Sequence, residues 1–379
     1  MFKILFKDKK TKARVGILIT KKGILETPVF LPVATKTVVK FIDSKMLEKI
    51  GLKAVISNAL ILSLRPGTKV IKKFNGINNF MNFSGINFTD SGGFQMYSEH
   101  LYLSSNDKGA LFRNPIDGKK IFMTPEENIK LQLNLNSEIA MCLDSMPLHK
   151  DSKKTIQDSV NKTILWAEKC KKAHDKLQKK FSKNKKIPKN KRQLLFGITQ
   201  GGIYKELRAR CIKKLLKLNF DGYAIGGLGL GEKGKDEFKI IGLHKKLIPE
   251  NKPIYLMGIG DPVEILEAIK KGCDIFDSRM PTQNARRGTL FTSNGKLKIL
   301  NKKYESDKKP IDEKCKCFVC KNYSRAYIRF LLKEDEPVGK ELASYHNLFY
   351  INDLIGNAKK AIRNGNFKEL LKRVKRAYN

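Results

Sequence analysis

Eight short apolar runs, each closing on a small or polar residue, constrain this chain more than any other feature. They are PVFLPVA at 28–34, KAVISN at 53–58, INFTDSGG at 86–93, EIAMCLD at 138–144, LLFGITQGG at 194–202, GYAIGG at 222–227, PIYLMGIG at 253–260 and CDIFDS at 273–278. They are too short for typical helices and too continuously apolar for strands with one wet face, the pattern of parallel strands buried on both sides. Amphipathic stretches separate most of them, among them PEENIKLQLNL at 125–135, ELRARCIKKLLKL at 206–218 and VEILEAIKKG at 263–272. About eight βα units in succession predict an α/β fold closed into a (β/α)8 TIM barrel, with an open doubly wound sheet as the rival. No GxGxxG or GxxxxGK[ST] opens a helix, so Rossmann and P-loop chemistry lose their best support.

A barrel of this kind places its chemistry at the carboxyl ends of the strands. The residues that close the runs are Asn58, Asp90, Asp144, Gln200, Gly226 with Gly227, Met257 and Asp277. Any one of them suits a turn or a helix cap. Three carboxylates and an amide converging on one rim point instead to chemistry at a glycosidic bond, one carboxyl handling protons while another attacks or stabilises the anomeric carbon. Asp144 and Gln200 have the donors and acceptors to read a heterocycle. By spacing alone the chain is a carboxylate-based transferase or hydrolase.

Charge and cysteine usage narrow the partner and the compartment. The chain carries 76 Lys+Arg against 37 Asp+Glu, a formal charge of +39, which suits a polyanion whose phosphates release counterions on binding. An AT-rich genome that favours Lys and Asn is the bland alternative. The basic stretch KKFSKNKKIPKNKR after a helix around Trp166, and a basic helix from Ala361 ending LLKRVKRAYN, suit a phosphate backbone or a plain solvated face. Charge follows the opening MFKILF too soon for a signal peptide, and no apolar run is long enough to span a bilayer, so the expected location is cytoplasmic. Cys315, Cys317 and Cys320 with His346 supply three thiolates and an imidazole, a closed tetrahedral set suited to one structural Zn2+. Cys142, Cys170, Cys211 and Cys273 read as buried apolar residues. The expected organisation is a barrel over 1–300, a zinc-binding subdomain over 301–350 and a C-terminal basic helix over 351–379.

The longer motifs carry a resemblance. TPVFLPVATKTVVK, LRPG, FTDSGGFQMYS, FRNPIDG, FGITQGGIYKELR, YAIGGLGLGE, YLMGIGDP, FDSRMPTQNARRGTLFT, CKCFVCKNYSRAYIRFL and YHNLFY occur in order over essentially the whole chain. Together they resemble the tRNA-guanine transglycosylase family, the queuine tRNA-ribosyltransferases, in its bacterial-type form. That resemblance implies a TIM barrel with an inserted zinc subdomain, and exchange of the wobble guanine of a tRNA anticodon for a free 7-substituted 7-deazaguanine. Carried over residue by residue, Asp277 is the nucleophile and Asp90 the general acid and base. Asn58, Ser91, Phe94, Asp144, Gln200, Gly227, Leu228 and Met257 belong to the base pocket, Phe94 and Met257 sandwiching the base. Gln283, Arg286 and Arg287 face the anticodon. No redox or nucleotide cofactor is implied, and a homodimer is, with Tyr323 to Tyr350 contributing to its interface.

The departures from the family pattern are specific. NALIL stands where the family has NTYHL or NTFHL, keeping Asn58 and replacing the following Thr and the His by Ala59 and Ile61. PTQNARRG stands for PTRNARNG, so Gln283 replaces an arginine, Arg286 is kept and Arg287 is extra. Ser145 and Met146 follow Asp144 in place of Glu-Cys, and Gly229 and Leu230 occupy variable pocket positions. The bulk of Met146 and Leu230 favours a small substituent such as that of preQ1 over queuine, and Glu232 keeps the place that orients the backbone toward a cationic aminomethyl group. The alternatives are a non-catalytic tRNA-binding partner of the same family and a nucleoside or glycoside hydrolase.

Overall fold

The computed structural model describes residues 1–93, 101–148, 151–181, 191–228 and 235–378. The strands are β1 (Phe2–Lys7), β2 (Arg14–Thr20), β3 (Gly23–Thr27), β4 (Val29–Pro32), β5 (Ala54–Asn58), β6 (Ile86–Asp90), β7 (Tyr102–Asn106), β8 (Gly109–Arg113), β9 (Lys120–Met123), β10 (Ile139–Met141), β11 (Leu194–Thr199), β12 (Gly222–Ile225), β13 (Ile254–Leu256), β14 (Ile275–Ser278), β15 (Thr289–Thr292) and β16 (Gly295–Lys298). The helices are α1 (Ser44–Ile50), α2 (Ala59–Leu64), α3 (Thr68–Lys73), α4 (Ile77–Phe80), α5 (Pro125–Leu135), α6 (Lys153–Phe181), α7 (Lys205–Leu216), α8 (Lys235–Leu247), α9 (Pro262–Lys270), α10 (Met280–Arg286), α11 (Phe318–Asn322), α12 (Arg325–Lys333), α13 (Pro337–Arg363) and α14 (Phe367–Tyr378).

All eight apolar runs contain barrel strands. They form one parallel sheet in the order β4-β14-β13-β12-β11-β10-β6-β5. The ends of that order meet: Val33 bridges Ile56 in parallel, and the Ala34 N–H donates to the Ile56 carbonyl at 2.7 Å. Closure removes both sheet edges. The fold is the expected (β/α)8 TIM barrel.

Alternation along the strands divides the core in two. Val29, Leu31, Ile56, Phe88, Met141, Phe196, Ile198, Tyr255 and Ile275 fill the barrel interior. Phe30, Val55, Ala140, Leu195, Ile225, Leu256 and Phe276 face the surrounding helices. Successive residues of a strand point to opposite faces, so the inward set continues upward at every second position. Asn58, Asp90, Gln200 and Asp277 share the parity of Ile56, Phe88, Ile198 and Ile275, which brings them to the barrel mouth.

Helix signals are local and readable. α5 opens with a capping box, Thr124 accepting from the Glu127 N–H and Glu127 accepting from the Thr124 N–H, with Pro125 at the first turn; a cap of this kind contributes about 1 kcal/mol. α9 opens with Asp261 as N-cap, its Oδ1 accepting the Val263 N–H at 2.9 Å, before Pro262. Three antiparallel sheets stand outside the sequence-level expectation: β1-β2-β3, β7-β8-β9 and β15-β16. The first plugs the lower end of the barrel, since Phe2, Leu18 and Leu25 join the interior cluster.

The expected single C-terminal helix over 351–379 is two helices. α13 runs unbroken from Pro337 to Arg363, across the boundary placed at 350, and α14 begins at Phe367. Gly365 between them has φ +71°, a left-handed conformation that an L side chain resists. No helix of the described residues is long and apolar enough to cross a membrane.

Candidate active site and metal centre

At the barrel mouth, β5 and β6 stay in register to their last residues, Asn58 opposite Asp90. The Asn58 Nδ2 donates to Asp90 Oδ2 at 3.2 Å, while its Oδ1 accepts the Ile61 N–H at 2.9 Å and caps α2. Asn58 therefore holds the Asp90 carboxyl and caps α2 at once. Burial and the charges of Asp144 and Asp277 push the Asp90 carboxyl up to about 7, against the pull of the Gly92 and Ser91 N–H groups. A carboxyl in that range holds or releases a proton near neutrality.

Asp277 closes β14. Its Oδ1 accepts the Tyr255 hydroxyl at 2.7 Å and the Gly258 N–H at 3.1 Å. Burial raises its pKa, and these two donors oppose the shift. Both bonds fall on one oxygen. Tyr255 was not among the sequence candidates, because a tyrosine within an apolar run reads as core. Its inward parity, two strand positions below Met257 and in register with Ile275, is the signal that finds it.

Asp144 and Gln200 form the third group. Gln200 Nε2 donates to Asp144 Oδ2 at 2.7 Å, and both residues are buried. Burial pushes Asp144 up to about 6, with Gln200 and the more distant Arg208 pulling the other way. Gln200 Oε1 is buried without a hydrogen-bond partner among the described residues, a group whose desolvation a ligand donor would offset. The space beside the pair is kept by glycine. Gly227 has φ +65°, and a methyl there would lie 2.6 Å from Gln200 Oε1; a methyl on Gly93 would overlap Asp144 Oδ1.

The remaining pocket residues sort less evenly. Ser91 is buried, and its Oγ accepts the Gly93 N–H at 3.2 Å. Leu228 is buried with the core, and Met257 is half-buried at the top of the interior cluster. Gln283 and Arg286 lie on α10 and Arg287 just after it, directly beyond β14. Arg286 sits 6.0 Å from the Phe41 ring centre; burial and the neighbouring Arg287 and Arg279 lower its affinity for its proton. Phe94, Gly229, Leu230, Glu232 and the segment 182–190 lie outside the described residues.

The metal-binding set is preformed. Ligand atoms of Cys315, Cys317, Cys320 and His346 all lie within 4.8 Å of one another. His346 Nδ1 is 3.8, 3.6 and 3.3 Å from the three sulfurs. Tetrahedral zinc with bonds of about 2.3 Å to sulfur and about 2.0 Å to nitrogen needs such edges. His346 Nε2 lies 2.7 Å from the Phe291 carbonyl, which accepts only, so Nε2 carries the proton and Nδ1 presents its lone pair to the sulfurs. Three thiols and an imidazole fit a metal ion held by protein alone. This centre ties α13 to the α11 segment and to β15.

Fold and rim together define a TIM-barrel enzyme whose mouth carries three carboxylates in unequal environments, with a separate cysteine-histidine metal centre. The chain matches the family described as Queuine tRNA-ribosyltransferase over residues 8–379. It is similar to proteins named Queuine tRNA-ribosyltransferase from Thermoanaerobacter sp., 42% identical over 377 residues, with 100% of this chain and 97% of the relative covered. The relative of that name from Fusobacterium nucleatum is 42% identical over 373 residues, covering 98% and 96%. The one from Clostridium perfringens is 43% identical over 362 residues, covering 95% and 94%. The chain belongs to the queuine tRNA-ribosyltransferase family.

Proposed function

We propose that this chain exchanges the wobble guanine of a tRNA anticodon for a free 7-substituted 7-deazaguanine by double displacement. The observation that carries the reading is the division of labour among the rim carboxylates. Asp277 has one oxygen occupied by Tyr255 and Gly258 and the other without a partner among the described residues; Asp90 titrates near neutrality; Asp144 is locked to Gln200. In the first step the second oxygen of Asp277 bonds to ribose C1′ as the bond from C1′ to guanine breaks, and Asp90 gives its proton to the departing base. In the second, Asp90 takes the ring N–H proton of the incoming base, whose nitrogen bonds to C1′ as the ester to Asp277 breaks. Protons and electrons balance without a redox or nucleotide cofactor.

Asp144 accepts from the base's ring N–H and amino groups, and Gln200 and the Gly227 N–H meet its carbonyl. The zinc ion held by Cys315, Cys317, Cys320 and His346 supplies structure only, because the protein fills all four positions. Arg286, Arg287 and Gln283 lie where an anticodon enters the mouth. The half-buried Met146 supports a small 7-substituent, preQ1 rather than queuine. The enzyme acts in queuosine formation in the cytoplasm, as a homodimer.

Two experiments test this. Denaturing gels of the protein mixed with tRNA and a 7-deazaguanine are expected to show a shifted band that Asp277→Ala lacks; wild type without the band rejects the covalent route. Side-by-side incorporation of preQ1, preQ0 and queuine tests the base, and queuine used as well as preQ1 rejects the pocket argument.

A further inference from the structure

The neighbouring strands β6 and β10 each lead to one carboxylate of the proposed reaction, β6 to Asp90 and β10 to Asp144. Their ladder stops early. It pairs Ile139 with Phe88 and Ala140 with Thr89, whereas β6 stays on β5 up to Asp90 and β10 stays on β11 up to Met141. The barrel wall therefore splits between the two carboxylate-bearing segments.

An amide fills the split. Gln132 of α5 is fully buried. Its Oε1 accepts the Met141 N–H at 2.9 Å and the Thr89 hydroxyl at 2.9 Å. Its Nε2 donates to the Met141 carbonyl and to Asn128 Oδ1, both at 2.7 Å. All four hydrogen-bonding capacities of the side chain are thus used. The two bonds to Met141 are those a paired strand would make. Asn128, one helical turn earlier and also fully buried, donates from Nδ2 to the Ser91 carbonyl at 2.5 Å. One pair of amides so links Thr89 and Ser91, on either side of Asp90, to Met141, three residues before Asp144.

We propose that Gln132 and Asn128 are positioning residues that set the separation between Asp90 and Asp144, and so the seat of the base relative to its proton donor. This rests on the base-exchange reading of the site. A buried amide kept only for packing has no reason to sit at the one place where these two strands part. There is no slack in the arrangement, since Gly93 already lies so close to Asp144 that a methyl would overlap it. Neither amide touches the reacting atoms, so both act through the strands.

The test uses full-length protein with tRNA, a 7-deazaguanine and a single-turnover assay. Gln132→Met keeps the volume and removes all four bonds. It is expected to raise KM for the incoming base about tenfold or more, to leave the affinity for tRNA unchanged, and to move the pH midpoint of adduct formation downward as Asp144's charge moves away from Asp90. A folded Gln132→Met with wild-type KM and midpoint overturns the proposal. Should that variant not fold, Asn128→Ala decides, because it leaves both bonds between Gln132 and Met141 in place; unchanged KM and midpoint there overturn it equally. A wild-type chain that exchanges no base overturns the reading of the site and this role with it. A wild-type chain that exchanges while the variants match it overturns the positioning role alone.

Discussion

The short run that holds β14 has Asp274 just before the strand and Asp277 near its end, and the two have opposite surroundings. Asp274, at the lower end, is buried against the Arg14 guanidinium, with bonds of 2.8 and 2.6 Å, and accepts the Ile254 N–H at 2.7 Å. Asp277, at the upper end, has a tyrosine and one backbone N–H on a single oxygen, and among the described residues no cation pairs with it. The lower carboxylate is matched charge for charge and ties the N-terminal sheet to the barrel. The upper one keeps capacity in reserve. In a TIM barrel the lower face holds the fold and the upper face does chemistry, and here the two kinds of surroundings lie within four residues of one run.

The metal centre extends the contrast. There the fourth ligand's second nitrogen is already engaged by Phe291, and the four donors surround a single point. The rim instead leaves Gln200 Oε1 without a partner among the described residues and lifts its carboxyls above their ordinary range. Reserved capacity of this kind costs stability and provides reactivity.

The contrast is broken most severely at Asp277, the proposed nucleophile. Asp277→Ala is expected to abolish base exchange while leaving thermal unfolding at or above the wild-type temperature; a clear loss of stability would mean that Asp277 is structural like its neighbour. Asp274→Ala should do the reverse, destabilising the protein by about 3–5 kcal/mol because Arg14 is left buried and unpaired, with exchange by the remaining folded protein unchanged. Denaturant unfolding beside a rate per folded molecule separates the two effects.

Asp90→Asn is expected to slow exchange by about 10²–10⁴. On the proposed route, adduct formation needs protonated Asp90 and is expected to fall as pH rises through about 7, while adduct resolution needs the ionised form and is expected to fall as pH drops through about 7. Single-turnover profiles of the two half-reactions should cross, and Asp90→Asn should flatten both. The linked stability has a definite sign. A raised carboxyl binds its proton more tightly in the folded state, so wild type loses stability as pH rises from about 4 through about 7. Asp90→Asn removes that slope and is more stable than wild type at pH 8.

The smallest effect concerns Asp144, the proposed base reader. Asp144 accepts only when ionised, so KM for the incoming base should rise as pH falls through about 6, by up to about tenfold per unit. A KM independent of pH between 5 and 7 would remove Asp144 from the base edge.

Much of this was readable in the chain. Buried parallel strands need no wet face, so their runs are continuous and visible, and all eight emerged. The metal set was equally plain, because cysteines clustered in a chain otherwise poor in them have few other uses. The antiparallel additions were not visible: β7-β8-β9 has half-exposed, mixed faces such as those of Tyr102 and Ser105, and no unusual composition. The C-terminal segment read as one helix because Gly365 is a single residue in a strongly basic amphipathic pattern, and its left-handed turn is a conformational fact.

The sequence alone determined the eight barrel strands and the residues at their carboxyl ends, since side-chain alternation and apolar continuity are properties of adjacent residues. Only the tertiary structure decided that Asn58 bonds to Asp90, that Tyr255 reaches Asp277, that Gln132 bridges a split wall, and which of Asp274 and Asp277 is matched by Arg14. Those are relations between segments far apart in the chain. Acidity follows distance and burial, and neither exists until the barrel has closed.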